Sequence, residues 1–187
     1  MLVCCLGALL LSLTIAGGIS WLAVDRARGE LLDQSRLLTE RYAAQATLAL
    51  LYGSPENAES ATDGLLRFPN VVGVAVFNAD GSTLLRRGLT DDVPVQITAS
   101  WRPNDATRLL RDADTYWLFG APVFVGTTDQ DVTVFGEAVP PPQYQGQVAV
   151  AISKAALGEV TREILLSTAA LSIVTAALFL PLLLAIL

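Results

Sequence analysis

Apolar and polar positions along this chain fall into three regimes. From Met1 to Val24 and again from Ile164 to Leu187 there is no charged residue, and apolar side chains predominate. At about 1.5 Å of rise per helical residue each stretch reaches roughly 36 Å, enough to cross a hydrocarbon core of about 30 Å. The pattern therefore predicts transmembrane helices over 1–24 and 164–187, with one domain over 25–163 on one side of the membrane and both chain ends on the other. A cleaved signal peptide is the main rival for the first stretch. The stretch has no basic leading region and no A-x-A site before Asp25, and its apolar run exceeds the usual about 7–15 residues. Trp21 suits an anchor at the lipid interface.

Between these ends the periodicity changes several times. Asp25 to Tyr52 has one glycine and no proline and is rich in Leu, Ala, Arg, Glu and Gln, so it should continue as helix. Leu31, Leu38 and Tyr42 share one face, with Asp33, Arg36 and Glu40 on another. From Tyr42 onward the run is apolar nearly all round. The expectation is a stalk over 25–42 leading into a helix buried against the domain. Gly53 ends it, and Ser54-Pro55 starts a second helix with Ser54 as N-cap. Ala58, Ala61, Leu65 and Phe68 give that helix its apolar face, and Pro69 stops it.

The run VVGVAVFNADGSTLLRR reads as a hairpin: an apolar strand over Val71–Phe77, turn residues Asn78-Ala79-Asp80-Gly81, and a return over Ser82–Arg87. Leu89 to Asp112 is polar and irregular, with a short helix expected over Asn104–Arg111. Thr115–Val125 is aromatic and β-branched, with Pro122 marking a bend or an edge. Gly126–Gln145 is a long polar connection with a brief strand around Val132–Phe135. Gly146–Ile152 makes the last strand, and Ser153 is placed to cap a helix starting at Lys154. This order predicts an α+β domain, an antiparallel sheet with helices on one side.

Charge narrows the function classes. The chain holds 12 basic and 18 acidic residues for a net charge of −6, and no histidine. An acidic domain argues against nucleic acid as a partner. Without histidine there is no histidine-based triad or histidine metal site, and no phospho-accepting histidine in this segment. Cys4 and Cys5, the only thiols, lie in the first apolar stretch, where packing in lipid or lipidation are the two readings. Neither a cofactor nor an enzymatic activity is expected of this segment.

Three stretches together carry a resemblance: AAQATLALLYGSPENAESATDGLLRFPNVVGVAVFNADGSTL, TYWLFGAPVF, and QGQVAVAISKAALGEV entering the second apolar segment. They resemble the periplasmic PAS-like sensor domains of BarA/GacS-type transmembrane hybrid sensor histidine kinases, and the sensors of membrane-bound diguanylate cyclases. The resemblance implies a PAS/Cache-like sheet with a long N-terminal helix, in the periplasm and anchored in the bacterial inner membrane. It further implies a HAMP linker and a kinase output of a two-component system beyond this segment. Ending inside an apolar segment fits the expectation of a longer receptor. A homodimer through the Asp25–Tyr42 stalk and the membrane helices is expected, with a small ligand, such as a carboxylate, or a periplasmic protein as the signal. The rival is a two-span envelope subunit with no signalling role.

Candidate ligand-binding residues are Trp101, Arg102, Arg108, Arg111, Tyr116 and Trp117, between the hairpin and the next strand. Arginine forks pair with carboxylates and aromatics supply apolar walls. The competing reading puts Trp117 in the core and pairs the arginines with Asp112 and Asp114. Of the acidic pairs Asp91-Asp92, Asp112 with Asp114, and Asp129 with Asp131, the last is the one with a weak Ca²⁺ site as an alternative to solvated loop charge. Arg86 and Arg87 read as a solvated strand end or as facing a partner or lipid headgroups. Pro181 is a candidate kink in the second span.

Overall fold

Continuous helix at both ends brackets a sheet. The computed structural model describes residues 2–89, 101–102, 105–126, 133–134, 137–138 and 141–185, without the side chains of 2–13, 15–16, 133–134, 137–138, 171–172 and 175–185. Asp91-Asp92, Asp129, Asp131 and the side chain of Pro181 therefore lie outside the described residues. Helix α1 runs unbroken over Leu2–Tyr52, and α2 over Pro55–Leu66. Strands β1 (Val71–Asn78), β2 (Thr83–Arg87), β3 (Arg108–Asp112) and β4 (Tyr116–Val125) follow. The short β5 (Thr133–Val134) and β6 (Glu137–Ala138) pair with each other, β7 spans Gln143–Ser153, and α3 spans Ala155–Ala185.

The chain divides into two compact units, one of residues 1–32 with 155–187 and one of Asp33–Lys154. In the first, the Ser20 and Thr168 hydroxyls hydrogen-bond at 2.7 Å, joining α1 to α3. Around this contact Ile19, Trp21, Leu22, Leu165, Leu166, Ile173 and Val174 are exposed. Among the described residues no helix is long and apolar enough to cross a membrane. The expected spans 1–24 and 164–187 fall largely on side chains outside the description.

The second unit is an α+β domain whose antiparallel five-stranded sheet has the order β2-β1-β7-β4-β3. Side chains alternate across such a sheet. Ala75, Phe77, Leu118, Ala149 and Ala151 form one buried face, against which Leu89, Leu110 and Tyr116 pack. Val74, Val76, Trp117, Phe119, Val148 and Val150, all buried, take the other. On that second face lie α1 and α2, tied together by the Tyr42 hydroxyl, which hydrogen-bonds Thr62 Oγ1 at 2.6 Å with both groups buried. Burial on both faces explains why β1 and β7 read as unbroken apolar runs.

Turn chemistry matches the sequence where it is local. Gly81 takes φ 87, and its N–H donates to the Asn78 carbonyl at 2.9 Å. The Asp80 carboxylate accepts from both the N–H and the hydroxyl of Ser82, an Asx turn that holds its pKa below the ordinary carboxylate value. After α2, Pro69 and Asn70 form a turn closed by Val71 N–H to Phe68 O at 3.2 Å, with Asn70 at φ 77.

Several expectations need correction. The short helix over Asn104–Arg111 is not formed: Arg108–Asp112 is instead strand β3, paired with Trp117–Gly120. The sequence RLLRD is compatible with helix, but the open edge of β4 offers a ladder, and tertiary pairing overrides a weak local preference. The last strand begins at Gln143 rather than Gly146 and runs through Ser153, and α3 begins at Ala155 rather than Lys154. Ser54 has an extended backbone, yet its hydroxyl makes no capping bond. Phe68 falls in the turn and is exposed, so Thr62 completes the buried face of α2 with Ala58 and Leu65. The apolar run from Tyr42 is buried on one side only: Ala43, Ala46, Ala49 and Leu50 are covered while Leu48 and Leu51 are exposed.

Candidate functional site

Trp101, Arg102 and the residues 105–107 precede β3 and bring polar groups to the sheet. Arg102 and Asp105 close a turn on themselves. The Arg102 N–H donates to Asp105 Oδ2 at 2.7 Å, and the Asp105 N–H donates to Arg102 O at 2.9 Å. Ahead of this turn Trp101 is 7 % exposed, and its indole N–H donates to Gln147 Oε1 at 2.6 Å. Gln147 is itself fully buried on β7. A polar side chain at the centre of a sheet needs such a partner, because stranding it would cost about 1–3 kcal/mol. The Arg108 guanidinium lies 4.0 Å from the Trp101 ring centroid, a cation–π stack.

Register decides which of the six candidate residues meet. Cross-strand partners share a face. Arg108 pairs with Gly120 and Arg111 with Leu118, and the ladder shifts between Leu109 and Arg111. That irregularity puts Arg108, Leu110 and Arg111 on the face of Leu118, where Tyr116 also packs. Trp101 joins them through Gln147, so four of the six candidates border one face. Trp117 is on the opposite face and is core, 1 % exposed, with its Nε1 lacking a partner. Lys154 Nζ sits 5.4 Å from the Trp117 ring centroid and forms an ion pair with Asp112. Arg102 is exposed and its backbone is held by Asp105.

A groove of about 300 Å³ opens on the α1 side of the sheet. Its walls are Glu40, Ala43, Ala44 and Thr47 of α1, Asp105–Thr107, and Ala121–Phe124 of β4. Two features of the sequence make it. Alanines at 43 and 44 leave α1 thin at this point, and Pro122, without an N–H, lies just beyond Gly120, the last β4 residue paired with β3. Glu40 and Asp105 give the groove two carboxylates and no basic wall. The Thr107 hydroxyl is buried there without a hydrogen-bond partner. Deeper along β4, Phe124 and Tyr144 pack with ring centroids 5.4 Å apart, and burial raises the Tyr144 phenol pKa.

Elsewhere Arg87 pairs with Glu59 of α2 at 2.9 Å, which accounts for one of the two arginines at the end of β2. Among the described residues no group of three acidic, cysteine or histidine side chains could hold a metal ion. Sequence reasoning missed Gln147, Asp105, Thr107 and Glu40. A signal existed for the first, since a lone glutamine inside the apolar run GQVAVAI demands a buried partner. No such signal marked the groove, which depends on packing between distant segments. Comparison with known proteins finds no match to this chain, whether among family models, curated proteins or solved structures.

Proposed function

We propose that this chain is the extracytoplasmic input module of a bacterial transmembrane receptor, most simply a two-component sensor histidine kinase. On this reading its apolar ends lie in the inner membrane, its sheet domain in the periplasm, and two copies stand in parallel. A HAMP linker and a kinase follow beyond the chain. The observation that carries the proposal is the absence of a loop at either exit of the sheet domain. Helix α1 is continuous from Leu2 to Tyr52, and only Lys154 separates β7 from α3. Lys154 is held at that junction by its N–H to Thr115 O at 2.9 Å and by its ion pair with Asp112. A shift in the sheet therefore has a stiff route to α3. The exposed apolar side chains around Ser20 and Thr168, together with the uncharged ends, support the membrane assignment. The five-stranded sheet and long first helix suit the PAS/Cache-like resemblance.

The ligand reading follows from the face shared by Trp101, Arg108, Arg111 and Tyr116, where guanidinium groups beside aromatic rings fit a short carboxylate. A second reading rests on the groove, whose Glu40 and Asp105 suit an ammonium ligand instead. One experiment separates them: the melting temperature of the full chain in lipid nanodiscs, titrated with short carboxylates and with short alkylamines. Saturable stabilisation by a carboxylate, lost in Arg108→Ala, supports the first, since binding to the native state raises stability by mass action. Stabilisation by an amine, lost in Asp105→Asn, supports the second. No shift with either, in a folded chain, overturns the small-ligand reading. A protein-regulated input, as in a membrane-bound diguanylate cyclase, or a non-signalling two-span envelope subunit then takes precedence.

A further inference from the structure

Helix α1 presents two stripes within the sheet domain. Ser35, Thr39, Tyr42, Ala43, Ala46, Ala49 and Leu50 are buried, following the helical period toward the sheet. On the opposite side Leu37 is 49 % exposed, Leu48 60 % and Leu51 44 %. With Arg41 and with Ala44, which is exposed and also edges the groove, these residues occupy 37, 41, 44, 48 and 51. The steps alternate four and three, the a/d spacing of a coiled-coil seam. A solvated helix face has no need of leucines at that spacing.

We infer that this stripe is the seam along which a second copy of the chain docks, in parallel and in register. The inference rests on the dimeric reading above and moves its interface, from the Asp25–Tyr42 stalk to the sheet-backed stretch Leu37–Leu51. Charge complementarity selects the occupant. Arg41 falls at an a position in the middle of the apolar stripe, and Glu40 at the g position beside it. Within the described residues neither has an ion-pair partner. In a parallel pair each a side chain lies next to the g residue of the other helix, so Arg41 of one copy meets Glu40 of the other, twice over. A charged a residue costs stability but fixes register and orientation. Burial of Leu37, Leu48 and Leu51 supplies the apolar contribution.

The test is oxidative cross-linking of the full chain in membranes of expressing cells, with Cys4→Ala and Cys5→Ala as background. Single substitutions Ala44→Cys and Leu48→Cys are compared with Arg36→Cys, which is exposed on the same helix but off the stripe. Cross-linked dimer is expected at 44 and 48, at least about tenfold above the level at 36. Adding Arg41→Glu to Leu48→Cys should lower the yield, and adding Glu40→Arg as well should restore it. Thermal melts of each variant separate loss of the seam from loss of the fold. Cross-linking at 36 equal to that at 44, or efficient cross-linking confined to cysteines placed at 26–33, leaves a dimer but overturns this seam. No cross-linking at any position, with a chain that is monomeric by light scattering in nanodiscs, overturns the dimeric reading as well.

Discussion

The hydrogen bond between Tyr42 and Thr62 shows how much one buried polar pair can determine. It joins α1 to α2 beneath the sheet, where either hydroxyl alone would be stranded. Tyr42→Phe leaves Thr62 without its partner and is expected to cost about 1–2 kcal/mol at neutral pH, measured by chemical denaturation. The same residue carries a pH signature. Burial raises the Tyr42 phenol above its ordinary value, and the Thr62 bond only partly opposes this. A raised folded-state pKa means the native state holds the proton more tightly than the unfolded chain does. The stability contributed is complete below the unfolded value of about 10 and is lost as pH rises through the folded value. Stability should therefore fall more steeply above pH about 10 in the native chain than in Tyr42→Phe. Equal alkaline slopes would show that Tyr42 does not stay neutral in the fold.

At the scale of elements, strand pairing corrects local preference. The residues RLLRD of β3 are arranged by the edge of β4, and the irregularity at Leu110 turns two arginines onto one face. Where β7 crosses β1, Gly146 faces Asn78 and takes φ 154. A Cβ there would lie 2.0 Å from the Phe77 carbonyl oxygen and 3.1 Å from Leu50 Cδ2. Because backbone rather than a flexible side chain blocks the space, the strands themselves would have to part. Gly146→Ala should destabilise the domain by at least about 2 kcal/mol, read from urea melts. A near-neutral result would mean that β1 and β7 separate at this end without loss elsewhere. The sequence alone puts this glycine at the start of a strand, whereas it lies inside β7, and its role as a point of close approach was not legible. Nothing in GQVAVAI shows which carbonyl will face it.

At the scale of the whole molecule, stability is expected to be graded from the middle of the sheet outward. β1, β7 and β4 are paired on both sides, whereas β2 and β3 are edges. Amide hydrogen exchange of the full chain should run at least about tenfold slower in β7 than in β3. Equal protection would show that the sheet opens only as a unit. The same view explains what could be read in advance. Uncharged ends, helix through Tyr52, the Asn78–Gly81 hairpin and an α+β order are consequences of composition and short-range periodicity, and the sequence alone determined them. Placing Trp101, Arg108, Arg111 and Tyr116 on one face while Trp117 enters the core was decided by register. The groove between α1 and β4, the partner of Gln147 and the division of α1 into a buried and an exposed stripe were likewise decided by tertiary structure. Each depends on contacts between residues far apart in sequence, and a helix or strand pattern states that a face is apolar without stating what will cover it.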